Sequence, residues 1–220
     1  MMKKCMYVWL LLCSSLVQGA EPLDPALKEV SKKVSLGKYE PSDLVPFDTV
    51  KVSKRIIPDL TKLLNAARKD GLQLKVKSGY RSYVAQRGLF KRYCAKELKN
   101  NPSFTETQAA ERANTYSARA GHSEHQLGTT VDILSAENGY QFSSDDTLRY
   151  VSWLEKNAHL YNFRISYPKS SKEYIYEPWH VRWFPDGHFP TQNSLNTKSS
   201  AASLIDLPVS SLKVVRASCK

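Results

Sequence analysis

Two pairs of residues in this chain have the types and spacing for metal-assisted hydrolysis: His125 with Asp132, and Glu177 with His180. A catalytic zinc takes three protein nitrogen or oxygen ligands at about 2.0 to 2.2 Å and leaves a fourth position for water. His125, Asp132 and His180 form such a set, and Gly128 allows the chain to turn between the first two. The spacing has a blander reading. A histidine separated by six residues from a following aspartate is more often a loop histidine followed by an acid at a strand end.

Glu177-Pro-Trp-His180 cannot be a helical metal motif, because Pro178 pushes Glu177 into extended backbone. Residues 177 and 180 of a straight strand face opposite sides, so both meet one site only if the chain kinks near Pro178. With that kink, His180 ligates and Glu177 stays off the metal as a general base. Standing alone, the segment reads as a salt-bridged glutamate in an aromatic-rich strand. The chain has no CxxC or Cys/His array, so any metal site must be built from histidine and carboxylate.

The elements that must carry these residues are legible in outline. Leu60, Leu63, Leu64 and Ala67 recur at helical spacing, with Asp59 as N-cap and Gly71 past the C-terminus. Leu72, Leu74 and Val76 alternate with polar residues, a strand that runs into the corner Ser78-Gly79-Tyr80-Arg81. Ser82 caps a helix reaching about Asn100, and Thr105 with Gln108 makes a capping box for another ending at Gly121. Thr129, Val131 and Ile133 share one face of a strand, which turns Asp132 away from the apolar side. Leu148, Val151, Leu154, Ala158 and Tyr161 mark a further helix, and Tyr174 to Phe184 predicts a strand pair broken by Pro178. Helices interleaved with short strands give an α+β class.

Composition bounds the setting. With 41% hydrophobic and 24% charged residues, the 220-residue chain is neither low-complexity nor a multi-span membrane protein, and its length suits one domain with extensions. Lys3 and Lys4, the apolar run Cys5 to Val17, and then Gly19 and Ala20 read as a secretory signal peptide over 1–20, too short to span a bilayer. A lipid anchor at Cys13 competes with this, although Leu12 stands where a small residue is wanted. Residues 21–50, punctuated by Pro22, Pro25, Pro41 and Pro46, suit a surface-hugging lead-in more than a packed element. A domain over 51–190 follows, and then a serine-rich tail over 191–220. Export argues against a nucleic-acid partner, so the net charge of +11 suits either an anionic envelope surface or a solvated face. Beyond the signal remain Cys94 and Cys219, which form a disulfide or stay as one buried and one exposed thiol.

Three blocks stand in order: Ser78-Gly-Tyr-Arg-Ser82 with Gln86, Ser123-Glu-His-Gln-Leu-Gly-Thr-Thr-Val-Asp132, and Tyr176-Glu-Pro-Trp-His180. Together they resemble the VanY-type D-alanyl-D-alanine carboxypeptidases of the M15 zinc peptidase family, and the likeness runs from Tyr39 to Trp183. The resemblance implies the small α+β Hedgehog/D-Ala-D-Ala-peptidase fold, an antiparallel sheet with flanking helices. It implies zinc (Zn2+) on His125, Asp132 and His180, with Glu177 as catalytic base. Arg81, Gln86 and Ser123 match the positions that hold the substrate's terminal carboxylate, and Arg81 is also placed to assist transition-state charge. A planar guanidinium suits that task, because it pairs bidentately with a carboxylate that only a chain end possesses.

The implied activity is removal of the terminal D-alanine from peptidoglycan stem peptides. Separately, a monomer with no stable protein partner is expected. L,D-carboxypeptidases acting on tetrapeptide stems share the same blocks. A wall-binding module that holds zinc without hydrolysis is the alternative outside enzymology, and it has no need of Glu177. The chain departs from the family at Thr129 and Thr130, where a small apolar pair is usual, and at Ser166, where an arginine commonly precedes Tyr-Pro. His122, His159 and His188 are assigned no metal. Trp153, Trp179, Trp183, Tyr174 and Tyr176 suit a core better than sugar stacking.

Overall fold

The computed structural model describes residues 24–172 and 174–187. The signal peptide expected over 1–20, Cys13, His188, Cys219 and the tail expected over 191–220 lie outside the described residues. A hairpin comes first, β1 at Leu44–Phe47 against β2 at Val50–Ser53, and α1 follows at Ile57–Lys69. Next are β3 at Leu74–Ser78, α2 at Tyr83–Asn100 and α3 at Glu106–Ala113. After a 3-10 turn at Glu124–Leu127 come β4 at Thr130–Ser135, α4 at Arg149–Asn157, β5 at Phe163–Ile165 and β6 at His180–Trp183. The four longer-range strands form one antiparallel sheet in the order β3-β4-β6-β5.

Period-two alternation divides this sheet into an apolar face and a chemical one. Val131 and Ile133 of β4 and Val181 and Trp183 of β6 enter the main core with Leu60, Leu63 and Ala67 of α1 and Tyr150, Val151 and Leu154 of α4. Thr130 and Asp132, with His180 and Arg182, therefore take the opposite face. Register completes the arrangement, since Asp132 lies directly across from His180. In β3, Val76 belongs to the core, and a bulge between Val76 and Ser78 re-aims Ser78 into the cavity on the other side.

Helix α2 begins as its sequence predicts: the Ser82 hydroxyl accepts from the Ala85 amide at 3.1 Å. The capping box of α3 also forms, with Thr105 and Gln108 each accepting the other's backbone N–H. A smaller cluster of Phe90, Cys94, Ala110 and Ala113 joins α2 to α3, and Cys94 is buried in it.

Four expectations are corrected. Pro58 lies in the first turn of α1, which starts at Ile57, so Asp59 is no N-cap; its carboxylate accepts from Asn162 and Trp183 instead. Helix α3 ends at Ala113 rather than Gly121, and the unwound chain beyond it places Ser117 and Ala118 on the cavity wall. Between Tyr174 and Phe184 only His180–Trp183 is strand, because the turn at Pro178 breaks the extension; its partners are β4 and β5.

The fourth correction concerns the lead-in. Residues 24–53 are packed: Ala26 and Val30 are buried, and Pro46 sits in a two-stranded edge where a missing N–H costs little. This N-terminal arm braces the motif corners. Tyr80 donates its amide to the Lys51 carbonyl at 2.7 Å, and Ser53 donates to the Gly128 carbonyl at 2.8 Å. Gly128 has φ +73, and a side chain there would meet Leu44 at 2.9 Å and Pro41 at 3.3 Å, so the turn between His125 and Asp132 needs a glycine for conformation and for room.

A methyl group at Gly79 would stand 2.4 Å from the Lys51 carbonyl oxygen, whereas one at Gly88 in mid-α2 meets only ordinary contact at 3.8 Å. Gly79→Ala is therefore expected to destabilise the protein by about 1–3 kcal/mol. Gly88→Ala is expected to stabilise it by about 0.5–1 kcal/mol. Urea unfolding of both variants checks the contrast, and equal shifts would contradict this account of the Gly79 corner.

Candidate active site and metal centre

The side chains of His125, Asp132 and His180 converge on the chemical face of the sheet, with one ligand atom from each lying within 4.8 Å of the others. All three are buried. His125 Nε2 is 3.3 Å from Asp132 Oδ2, and His180 Nδ1 is 3.1 Å from Asp132 Oδ1. The two imidazole rings meet edge to face at 4.9 Å. Two nitrogens and a carboxylate oxygen, facing a cavity on the open side, fit a divalent ion of the zinc type with a position left over.

Each imidazole is oriented from behind. His125 Nδ1 lies 2.9 Å from the Gly79 carbonyl, which can only accept, so the proton sits on Nδ1 and the Nε2 lone pair faces the site. His180 Nε2 lies 3.0 Å from a carboxylate oxygen of Glu124, and the Tyr167 ring stacks on the His180 imidazole at 4.5 Å. Glu124 also accepts from Arg182 at 3.0 Å.

The electrostatics divide the acids. Burial works against the Glu124 charge, but Arg182 and then His180 overcome it and hold the carboxyl at about 2. Asp132 is likewise held well below the ordinary range, because the two histidines outweigh its burial. Glu177 has no such compensation. Its burial, with Asp132 and Glu124 nearby, outweighs the pull of His180 and Arg81 and raises it to about 7. Burial lowers His125, whereas Asp132 and Glu124 outweigh burial at His180 and raise it to about 10. His125, Asp132 and His180 would hold a cation only with the lone pair of each ligating nitrogen free of a proton.

The kink expected at Pro178 is a turn in which the His180 amide donates to the Glu177 carbonyl at 3.1 Å. That turn brings Glu177 and His180 to the same cavity, of about 490 Å³, whose wall also includes Arg81, Ser123, His125 and Asp132. Gln86 is placed differently. It is buried behind the wall, where Oε1 accepts from Arg81 at 2.8 Å and Nε2 donates to the Ala118 carbonyl at 2.5 Å. Arg81 is thus pinned by its neighbour, and its amide donates to the His125 carbonyl at 3.1 Å.

Among the other histidines, His122 donates to the Ser31 carbonyl at 2.7 Å and His159 sits beyond α4, so neither joins the centre. Trp183 joins the main core as expected, with Trp153 and Tyr176 packed against it, whereas Tyr174 and Trp179 line the cavity, where Trp179 packs against the exposed Phe142. Glu124 was not singled out by sequence. The available signal is Arg182, which shares a strand face with His180 and needs a buried acid to neutralise it.

Comparison with known proteins agrees with this geometry. The family model for VanY, described as D-alanyl-D-alanine carboxypeptidase, matches residues 49–186. YodJ of Bacillus subtilis (strain 168), whose name makes it a candidate carboxypeptidase, is 37% identical over 185 residues, covering 76% of this chain and 64% of its own length. The chain thus spans less than two thirds of the curated relatives it matches. A mutant of the vancomycin resistance D,D-pentapeptidase VanY, solved in complex with Zn(II), superposes with a TM-score of 0.62 at 29% identity, covering 73% of this chain and 88% of that one. The LdcB LD-carboxypeptidase superposes with a TM-score of 0.58 at 30% identity, covering 78% and 80%. These neighbours share the Hedgehog/DD-peptidase-like fold. With more than half its length matched by the family model, and with that fold, the chain belongs to the VanY D-alanyl-D-alanine carboxypeptidase family.

Proposed function

We propose that this protein is a zinc carboxypeptidase that removes the terminal D-alanine from peptidoglycan stem peptides. The observation that carries the reading is the convergence of His125, Asp132 and His180 in one cavity with a half-buried glutamate and an arginine. Bound by those three residues, zinc supplies a Lewis acid and lowers the pKa of water toward 7. Glu177 takes the proton from the attacking water and delivers it to the leaving amine, acting as base and then acid. A wall-binding module needs no such proton carrier, and Glu177 favours the enzyme.

Arg81 receives the substrate's free carboxylate, and this restricts the reaction to chain ends. Gln86 holds the guanidinium in direction from behind, and the Ser123 hydroxyl adds a polar contact on the same wall. The basic, apolar and small-residue order of residues 1–20 supports export to the envelope, where the substrate lies. Among the described residues no helix is long and apolar enough to cross a membrane.

The test is mass-resolved digestion of purified muropeptides with and without a chelator. Pentapeptide stems are expected to lose one alanine, to stop doing so with chelator and to resume with added zinc. Consumption of tetrapeptide stems instead would move the assignment to L,D cleavage, the activity for which LdcB is named. A zinc-loaded protein that cleaves neither stem would refute the enzyme.

Glu177→Gln is expected to lower kcat by about 10²- to 10⁴-fold with zinc content unchanged. Full activity in that variant would exclude Glu177 as base. The base must be ionised, so kcat/KM should fall as the pH drops through its pKa. Glu177 stands at about 7 without metal, and positive charge at the neighbouring ligands lowers it, so the acid limb belongs at or below pH 7. A limb centred above pH 8 would assign it to another group.

Arg81→Met should cost about 10- to 100-fold in kcat/KM on peptides with a free C-terminus, the scale of one charged hydrogen-bonded contact. Peptides ending in an amide should show almost no further loss. An equal loss on both substrates would place the arginine's effect elsewhere than the terminal carboxylate.

A further inference from the structure

We propose that Glu124 is a positioning residue for the metal centre and that Arg182 couples it to the N-terminal arm. The inference rests on the reading of His180 as a metal ligand through Nδ1. An imidazole that ligates through one nitrogen must carry its proton on the other, and the acceptor facing that second nitrogen fixes ring angle and tautomer. For His180 the acceptor is Glu124 Oε2, 3.0 Å from Nε2, on the side of the ring away from Asp132.

Glu124 is itself held in place. Its other oxygen accepts from Arg182 at 3.0 Å, and the second terminal nitrogen of Arg182 donates to the carbonyls of Ala26 at 2.9 Å and Lys28 at 2.7 Å. Glu124, His180 and Arg182 are respectively 7%, 3% and 5% exposed, so water cannot replace these contacts cheaply. The chain of contacts runs from the arm backbone through Arg182 and Glu124 to the imidazole. Neither Glu124 nor Arg182 is part of the cavity wall, so both act through His180 and not on substrate.

A purely structural ion pair would look similar in coordinates, and the two roles separate by what each variant loses. Removing one partner strands a buried charge and destabilises the fold, whereas replacing both with apolar residues of similar volume is often neutral or better. A structural role is thus repaired by the double replacement. A positioning role is not, since His180 Nε2 still lacks its acceptor.

The experiment uses full-length metal-free protein and measures zinc affinity by competition with a chromophoric chelator, together with the visible spectrum of the cobalt(II)-loaded form. Glu124→Gln is expected to bind zinc about 10- to 100-fold more weakly, with an altered cobalt spectrum. At saturating zinc its kcat should fall while KM for the stem peptide holds. The double variant Glu124→Met with Arg182→Met should recover stability and keep the weak zinc affinity, so it carries the test if the single variant folds poorly. Wild-type zinc affinity in either variant would overturn the inference and leave the metal reading intact. Failure of the wild-type protein to bind zinc at all would overturn that reading, and the inference with it.

Discussion

The pairing of Asp132 with His180 across β4 and β6 is the constraint on which the rest of this structure depends. One carboxylate lies between two imidazoles that reach it from residues 125 and 180, and the strand register brings the distant one into line. A one-residue slip would send Asp132 or His180 to the apolar face and put Val131 or Val181 in the site. The main core is what forbids the slip, because Val131, Ile133, Val181 and Trp183 are all committed to it. Apolar packing on one side of the sheet therefore sets the spacing of His125, Asp132 and His180 on the other.

Register alone leaves the loop residues free, and the N-terminal arm removes that freedom. It grips the Gly79 corner through Lys51, the Gly128 corner through Ser53, and Gln126 through the carbonyls of Gly37 and Tyr39. These are backbone contacts, indifferent to most side chains in the arm. They succeed because Gly79 and Gly128 let another strand approach closely. The arm is therefore part of the frame of the candidate site although it contributes no side chain to the cavity wall.

Much of the site was legible in sequence because its chemistry follows strand parity and residue type. Alternation turned Asp132 away from the core, and Pro178 made reasonable the kink that brings Glu177 beside His180. What stayed hidden depended on contacts between segments distant in sequence. Pro41 and Pro46 argued against a packed element, yet an edge hairpin tolerates Pro46, and its partner surface is made by residues 79 and 128. Helical spacing after Ala113 gave no reason to stop, and the cavity wall uses the unwound chain. Glu124 stood between two motif residues with no sign of burial, since its partner Arg182 lies 58 positions later.

Two carboxylates in one cavity behave oppositely for a reason the geometry supplies. Asp132 is bracketed by both imidazoles, and their attraction exceeds the cost of burying its charge. Glu177 is half-buried with less compensation, so burial prevails and its proton becomes exchangeable near neutrality. Separating acids of one chemical type by environment is how a site obtains a permanent anion for holding a cation and a proton carrier beside it. Were Glu177 paired as closely as Asp132, it would be a poor acid for the leaving amine. Were Asp132 as uncompensated as Glu177, a proton would compete with the cation. The unequal placement of the two acids about His180 thus suits the division of labour proposed for them.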